Sequence, residues 1–382
     1  MRLLYLSNQR LPTEKAYGRQ ILKMCLNFAR MDGVDLELVY PYRQNQIREG
    51  FIEYYGVRDG FRVNEIPAMD FHLPGRLEIV AFSIKNLLSA LALARMALSR
   101  NPDVIYSRDE LPLYILSFFR KNLVFEAHNM QRLRAFMYNR FRKKRVKLVT
   151  IAKALKDDFI KAGFKPENIL VAPDGVDADV INKEENSSSD KESVRRILNL
   201  PSDKKIVVYA GSLFRWKGVF SFVDAAKLLS DVVFIIVGGD DRGDEPELRQ
   251  YIADNHIENL KITGYIKSEE TIRNYIATAD VLALPNTAKE RISERYTSPL
   301  KLFEYMVAQR PIVASNLSSL REILNEGNSV LVKPDDALAL ADGIRRVLSN
   351  DSLALRIAQK AFEDGKKYNW KERAEKILKF IQ

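Results

Sequence analysis

The order of strand-like and helix-like segments predicts an α/β protein built from two doubly wound, Rossmann-like domains. Three observations carry this. Short apolar runs alternate with helical patterns along almost the whole chain, which implies parallel sheets wrapped by helices. The alternation is interrupted once, by the polar, serine-rich stretch "DADVINKEENSSSDKES" at 177–193, and then resumes. A length of 382 residues also commonly divides into two domains.

In the first half, "RLLYLSN" (2–8) is a short apolar strand. "AYGRQILKMCLNFARM" (16–31) has helical spacing at Ile21, Met24, Cys25 and Phe28. The single cysteine, Cys25, lies on that apolar stripe, as a core residue does; with no second cysteine a reducing compartment fits. "VDLELVYPY" (34–42) alternates like a strand. "IVAFSIKNLLSALALARMALSR" (79–100) is long enough to span a bilayer. Lys85, Asn86 and Arg95 interrupt it, and charge is costly in lipid, so it reads as a largely buried helix. "DVIYSR" (103–108), "LVFEAH" (123–128) and "KLVTIA" (147–152) are strand-like, "KALKDDFIKAGF" (153–164) is a helix ending at Gly163, and "ENILVAPDGVD" (167–177) runs into a Pro-Asp-Gly turn.

The polar stretch reads as an exposed linker or flap. Beyond it come "KIVVYAG" (205–211), a helix through Ala225, "VVFIIVGG" (232–239), a helix near 245–255, "LKITGYI" (260–266), a helix near 269–279, "DVLALPN" (280–286), a helix over 299–309, "PIVAS" (311–315), a helix near 318–325 and "SVLVKP" (329–334). Helices close the chain over 336–382. The resulting domain reading is 1–180, a linker at 181–195, and 196–366, with a last helix at about 367–382 packing back on the first domain. Two such sheets facing each other would enclose a cleft lined by the carboxyl ends of strands, where open α/β sheets bind ligands.

Composition narrows the partners. The hydrophobic fraction of 46% and charged fraction of 29% are those of a soluble globular chain. The opening "MRLLYLSNQR" is too short an apolar run for a secretory signal, so a cytoplasmic location is expected. A net charge of +10 favours anionic partners: nucleic acid, an acidic membrane or phosphorylated small molecules. The segment "RLRAFMYNRFRKKRVK" (132–147) interleaves Phe136, Tyr138 and Phe141 with eight cations. It is a solvated helix face or a docking surface for an anionic membrane, with the cations on headgroups and the aromatics at the interface. Single-stranded nucleic acid would use the same ingredients, but no recognisable nucleic-acid module accompanies them.

Two motifs carry chemistry. "IVVYAGSLFRWKGV" (206–219) places Gly211, Ser212, Arg215, Lys217 and Gly218 where a strand turns into a helix. It is neither a Walker A loop nor the G-x-G-x-x-G dinucleotide turn. The cations are solvated surface groups, or they meet an anion together with the N–H groups of the helix start. In "SERYTSPLKLFEYMVAQRPIVAS" (293–315), Ser298 reads as an N-cap and Pro299 as the first helical residue. Leu300, Phe303 and Val307 form an inward stripe, and Glu304 adjoins it. That carboxylate either pairs with Lys301 at i, i+3 or accepts from a ligand such as the two hydroxyls of a ribose. The N–H groups of the first turn suit a diphosphate.

In this order, "GSLFRWKG" and "SPLKLFEYMVAQRPIVAS", with "PTEKAYGRQILKMC", "DVIYSRD", "FEAHN", "ILVAPDGVD", "ITGYI", "ADVLALPN" and "YNWKERAEKILKFI", resemble the family 4 glycosyltransferases, retaining enzymes of GT-B fold that use nucleotide-sugar donors. The resemblance implies that Lys217 contacts the donor diphosphate, Glu304 holds the ribose, and the backbone of Leu300 and Lys301 donates to phosphate. It implies that Gly264, Tyr265 and Ile266 frame the base, that Gly18 lies in a first loop whose backbone approaches the donor, and that His128 sits near the transferred sugar. It also implies a saccharide or lipid-linked acceptor and no bound metal or other cofactor.

Ser212 stands where the family often has arginine, and Arg215 would replace that cation. Tyr296 stands where the family often has a carboxylate for the transferred sugar, with Glu294 and Glu290 nearby. Arg108 and Asp109 either face the cleft or pair with each other. His72 and His256 read as surface or packing residues, and Asp240 and Asp241 as a loop rather than a metal site. A nucleotide-sugar epimerase of the same fold, and a non-catalytic polyanion- or membrane-binding protein, are the alternatives to a transferase.

Overall fold

The computed structural model describes residues 1–57, 60–186, 191–239 and 244–382; Asp240 and Asp241 lie outside them. The chain forms two compact units, Met1–Pro173 with Trp370–Gln382, and Asp174–Asn369.

The first unit runs β1 (Arg2–Leu6), α1 (Ala16–Ala29), β2 (Asp35–Pro41), α2 (Phe51–Tyr55), β3 (Arg62–Ile66), α3 (Leu77–Arg100), β4 (Val104–Ser107), α4 (Glu110–Leu116), β5 (Leu123–Ala127), α5 (Ala135–Lys144), β6 (Lys147–Thr150), α6 (Lys153–Lys161) and β7 (Ile169–Val171). Its seven strands are all parallel in the order β3-β2-β1-β4-β5-β6-β7. β4 and β5 are buried throughout, as strands covered on both faces must be. α2 and β3 fall in a part of the sequence that gave no pattern. β3 is an edge strand, "RVNEI", with only Ile66 buried, so it lacks an apolar run to read.

Two sequence expectations need correction here. α3 is not largely buried: eight of its large apolar residues between Leu77 and Leu91 are exposed. Of the aromatics at 132–147, Tyr138 and Phe141 are buried in the core and only Phe136 is exposed. Phe141 packs on Phe125 of β5, so α5 turns its aromatic stripe inward and its cations outward.

The second unit runs α7 (Ala178–Asn186), α8 (Lys191–Ile197), β8 (Ile206–Ala210), α9 (Val219–Lys227), β9 (Val233–Val237), α10 (Glu245–Asp254), β10 (Leu260–Ile262), α11 (Glu269–Thr278), β11 (Val281–Leu284), α12 (Leu300–Val307), β12 (Ile312–Ser315), β13 (Val330–Val332), α13 (Ala337–Leu348) and α14 (Asp351–Gly365). The parallel order is β10-β9-β8-β11-β12-β13. Val207, Tyr209, Phe222 and Phe234 pack on one face of this sheet, and Ile206, Val208, Leu302 and Tyr305 on the other. A fully buried Phe of this kind contributes about 1.5–3 kcal/mol over an exposed one. α15 (Trp370–Ile381) then returns to the first unit.

The chain passes between units at Pro173, not at 181, and the expected linker holds most of α7 and most of α8. Composition misled because these helices are anchored by few groups. Ile181 joins a cluster with Phe303 and Val307. Arg195 is buried, with its guanidinium 2.7 Å from Asp280 and 2.9 Å from the Thr278 carbonyl. The helix expected near 318–325 is a single 3-10 turn, Leu320–Glu322.

Candidate functional site

In each sheet the strand order reverses at one point, and ligands of open α/β sheets bind at the carboxyl ends beside that point. In the second unit it lies between β8 and β11. The loop after β8 therefore holds the site, and glycine makes its path possible. Gly218 has φ 78°, and a Cβ there would stand 1.7 Å from the Pro285 carbonyl, just after β11. A Cβ on Gly238, after β9, would stand 2.3 Å from the Gly211 carbonyl. Gly238 in turn bridges to Gly264, after β10, so the ends of three adjacent strands are drawn together. Tyr265 is exposed, and Ile266 packs against the core below.

Helix α12 is tied to the same edge. The Ala210 amide donates to the Tyr305 hydroxyl at 2.6 Å, and the Tyr209 hydroxyl donates to the Ser212 carbonyl at 2.8 Å. Lys301, in the first turn of α12, thereby reaches under Gly211: its Nζ is 3.5 Å from the Tyr209 ring centroid. That ammonium is buried without a hydrogen-bond partner among the described residues. Burial and repulsion from Lys217 push its pKa well below the lysine range, against the attraction of Glu304. Burial also lowers Lys217, to about 8, and its ammonium lies 4.4 Å from the Trp216 ring centroid. Two under-solvated cations beside one carboxylate form a site that an anion would relieve.

Several sequence assignments shift. The N-cap of α12 is Pro299, not Ser298, and no side chain caps the helix. The Ser298 hydroxyl accepts instead from the Asp174 amide at 3.1 Å. The amides of Leu300 and Lys301 thus begin a helix whose N-cap residue offers no side-chain acceptor. Arg215 is half-exposed, ion-paired with Glu247 on α10 and stacked 4.1 Å from the Phe220 ring centroid. Its guanidinium is engaged by that carboxylate, whereas Lys301 is the cation whose charge is felt together with that of Lys217. Tyr296 is 1% exposed with its ring beside Arg291, whereas Glu294 is exposed. Asn286 is fully buried, with neither amide atom bonded among the described residues. The sequence quoted it in "DVLALPN" without marking it; a lone Asn after a strand carries no signal until its burial is known.

In the first unit the reversal lies between β1 and β4. Gly18 is not in a loop but in the first turn of α1, where a Cβ would stand 2.0 Å from the Tyr55 hydroxyl. Packing against Tyr55 explains that glycine. Arg108 and Asp109 do not pair. Arg108 donates to Gln20 at 2.6 Å, and Asp109 accepts from the Asn8 amide at 2.7 Å and from Gln9. His128 follows β5, and its Nε2 is 2.7 Å from Glu126 Oε1. Glu126 is fully buried and also accepts from Tyr106, from Gln20, and from Arg373 of α15 at 3.0 Å. Burial would raise its pKa, but Arg373, His128 and Arg108 together hold it well below the carboxylate range. An ionised Glu126 only accepts, so Nε2 of His128 carries the proton and Nδ1 the lone pair. Burial, with Arg108 adding to it, lowers His128 to about 4, so the ring is neutral at neutral pH.

Neither Glu126 nor Arg373 was singled out in the sequence. Arg373 shares the helical stripe of Trp370, Ala374, Ile377 and Ile381, and a cation on an apolar stripe was the available signal. Among the described residues no three His, Cys, Asp or Glu side chains cluster as metal ligands.

Two doubly wound parallel sheets, one with cations, a carboxylate and an uncapped helix start at its reversal point, define an α/β protein with a site suited to an anion. Family comparison gives the particular group. The model described as "Glycosyltransferase Family 4" matches residues 18–180, and that described as "Glycosyl transferases group 1" matches 204–350. The chain belongs to the glycosyltransferases that these models describe. It is similar to a phosphatidyl-myo-inositol mannosyltransferase of Mycobacterium tuberculosis, 30% identical over 55% of this chain and 53% of the relative. It is also similar to a D-inositol 3-phosphate glycosyltransferase of Xylanimonas cellulosilytica, 27% identical over 60% and 55%. The first curated relatives are matched over only 36% to 55% of their own length. The fold is GT-B. The crystal structure of Anabaena HepE in complex with UDP and glucose superposes with a TM-score of 0.77, at 20% identity, covering 99% of this chain and 98% of that one. A glycosyltransferase from Rickettsia africae gives a TM-score of 0.76 at 17% identity, covering 100% and 97%.

Proposed function

We propose that this chain is a retaining glycosyltransferase that moves a sugar from a UDP- or GDP-linked donor to a saccharide or lipid-linked acceptor, at the cytoplasmic side of a membrane and without a bound metal. One observation carries the reading: the ammonium groups of Lys217 and Lys301 stand under-solvated beside Glu304 and the uncapped start of α12. HepE, solved with UDP and glucose, supports a nucleoside diphosphate as the anion.

In the reaction the bond from the anomeric carbon to the diphosphate oxygen breaks, and negative charge grows on the departing phosphate. Lys217, Lys301 and the first amides of α12 oppose that charge. They are held in place before reaction, which makes such stabilisation effective. The leaving phosphate oxygen takes the acceptor hydroxyl's proton, and the acceptor oxygen bonds the anomeric carbon on the face the diphosphate left. Glu304 accepts from the ribose hydroxyls. From the first unit, His128 and Arg108 are assigned to the sugar and acceptor. The buried Asn286 and the exposed Glu294 are further candidates for the sugar. A phosphatidyl-myo-inositol mannosyltransferase among the relatives supports a lipid-linked acceptor, and the exposed cations Arg142–Arg145 of α5 support an anionic surface nearby.

The test is ligand-dependent thermal stabilisation by UDP, GDP and their sugars, with inorganic pyrophosphate as control. Glu304→Ala is expected to weaken the nucleotide at least tenfold and leave pyrophosphate unchanged. Equal loss of both would remove the ribose assignment. Stabilisation by neither nucleotide would sink the function. An epimerase would interconvert a donor sugar with no acceptor present; a transferase would at most hydrolyse it slowly.

A further inference from the structure

α3 is built inside out over its first half. The side facing the protein carries, beside the small Ala81, the polar Lys85 and Ser89. Lys85 is 5% exposed with its Nζ 3.3 Å from both Asp70 and Glu78, and the buried Ser89 hydroxyl donates to Asn8 at 2.7 Å. The side facing out is apolar: Leu77, Ile79, Val80, Phe82, Ile84, Leu87, Leu88 and Leu91 are all exposed, Ile79 by 72% and Phe82 by 60%. A soluble helix has the reverse pattern, and an exposed apolar patch of this extent marks an interaction surface.

A second group of exposed apolar residues lies on neighbouring elements of the same unit. Phe118 and Phe119, after α4, are exposed, and Phe118 meets Tyr114, which meets the exposed Phe136 of α5, each ring pair 5.4 Å apart. Leu133 is 93% exposed. Arg140 of α5 stacks 3.7 Å from the Phe118 ring centroid, and Lys121, Arg132, Lys143 and Lys144 on the same elements are exposed. From 79 to 100 there is no acidic residue, and from 111 to 147 the only one is the buried Glu126.

We infer that α3 is an interfacial helix that seats the first unit on an anionic lipid bilayer, its apolar face entering the headgroup boundary and the α5 cations meeting lipid phosphates. Charge selects this occupant. A second copy docking by the same patch would set cations against cations, because a two-fold contact pairs a surface with itself. Spanning is ruled out by the inward side, whose Lys85 and Ser89 are committed to partners in the fold.

The placement also bears on acceptor entry. α3 leads into the amino end of β4, so its start lies at the carboxyl edge of the sheet. Asn86 meets Asn8, just beyond β1, at 3.1 Å, and Leu77–Lys85 therefore project past the strand ends, along the edge where β5 delivers His128. Docking would hold that edge against the bilayer, where a lipid-linked acceptor presents its headgroup. This last step rests on the transferase reading; the docking itself does not.

Flotation of the full chain with phosphatidylcholine vesicles, with and without phosphatidylglycerol, tests it. The wild type is expected to float with the anionic vesicles. Ile79→Asp combined with Phe82→Asp is expected to reduce the bound fraction at least tenfold, with the melting temperature and solution hydrolysis of nucleotide sugar unchanged. Lys143→Glu with Lys144→Glu is expected to abolish the preference for phosphatidylglycerol. Should the double aspartate variant misfold, Phe82→Trp gives a second readout, a blue shift of emission on adding anionic vesicles. A wild type that stays unbound overturns the inference, as does unchanged flotation of the aspartate variant. So does a solution dimer that Ile79→Asp and Phe82→Asp dissociate. Failure of the donor reading would appear separately, as absent stabilisation by nucleotide.

Discussion

The ammonium of Lys301 lies 3.5 Å from the centre of the Tyr209 ring, buried, with no hydrogen bond to any described residue. A ring face compensates a desolvated cation only in part, so the empty protein carries a cost that a bound diphosphate would remove. Lys301→Met is therefore expected to leave the melting temperature of the free protein unchanged or higher. The same variant should lower kcat/KM about 10²–10³-fold, the range seen when a preorganised charge-stabilising donor is removed. Thermal melts with and without UDP, followed by steady-state kinetics, check both halves; a variant that melts lower yet turns over normally contradicts the assignment.

Lys217 gives a pH dependence of definite sign. Its pKa falls from the ordinary lysine value to about 8 because of burial. Between about pH 8 and about pH 10.4, the unfolded chain holds the proton and the folded chain does not. Stability from this group therefore rises with pH in that window. Affinity for a diphosphate runs the other way, because the cation is lost as pH passes 8. Calorimetric titration of UDP from pH 7 to 9.5 should show weakening that Lys217→Arg moves to higher pH, and a flat profile would exclude Lys217 from the anion site.

Arg373 and Glu126 form an ion pair at 3.0 Å, in which both side chains are almost fully buried. Breaking a buried pair leaves one charge uncompensated, at a cost of about 3–5 kcal/mol. Arg373→Met is expected to destabilise the first unit by that order in urea unfolding, and adding Glu126→Gln should recover part of the loss. The same variant leaves His128 beside a carboxylate that has lost its strongest partner. The histidine pKa, followed by NMR, should then rise from about 4. Unchanged titration would show that α15 does not position this histidine.

Legibility followed the range of the interaction. The alternation of apolar runs and helical stripes was enough for both sheets, because a strand buried on two faces must be apolar wherever it lies. β3 escaped because an edge strand need not be. Lys217 and Glu304 stood out in the sequence because each sits at a fixed offset from a strand end or helix start. Arg215 stood out by the same rule, but its pairing with Glu247, thirty-two residues on, was not legible there. Gly18 was expected in a loop, and it stands in the first turn of α1 against Tyr55.

By itself, then, the sequence determined the two-sheet architecture, the basic character and the local motifs at the ends of strands, all of which depend on residues close together in the chain. Only the tertiary structure decided that Lys301 points beneath Gly211, that Arg373 returns from the last helix to hold Glu126, and that α3 shows its apolar side to the outside. Each is set by packing between segments distant in sequence. Periodicity establishes that a helix has two faces; which of them meets the protein depends on what folds against it.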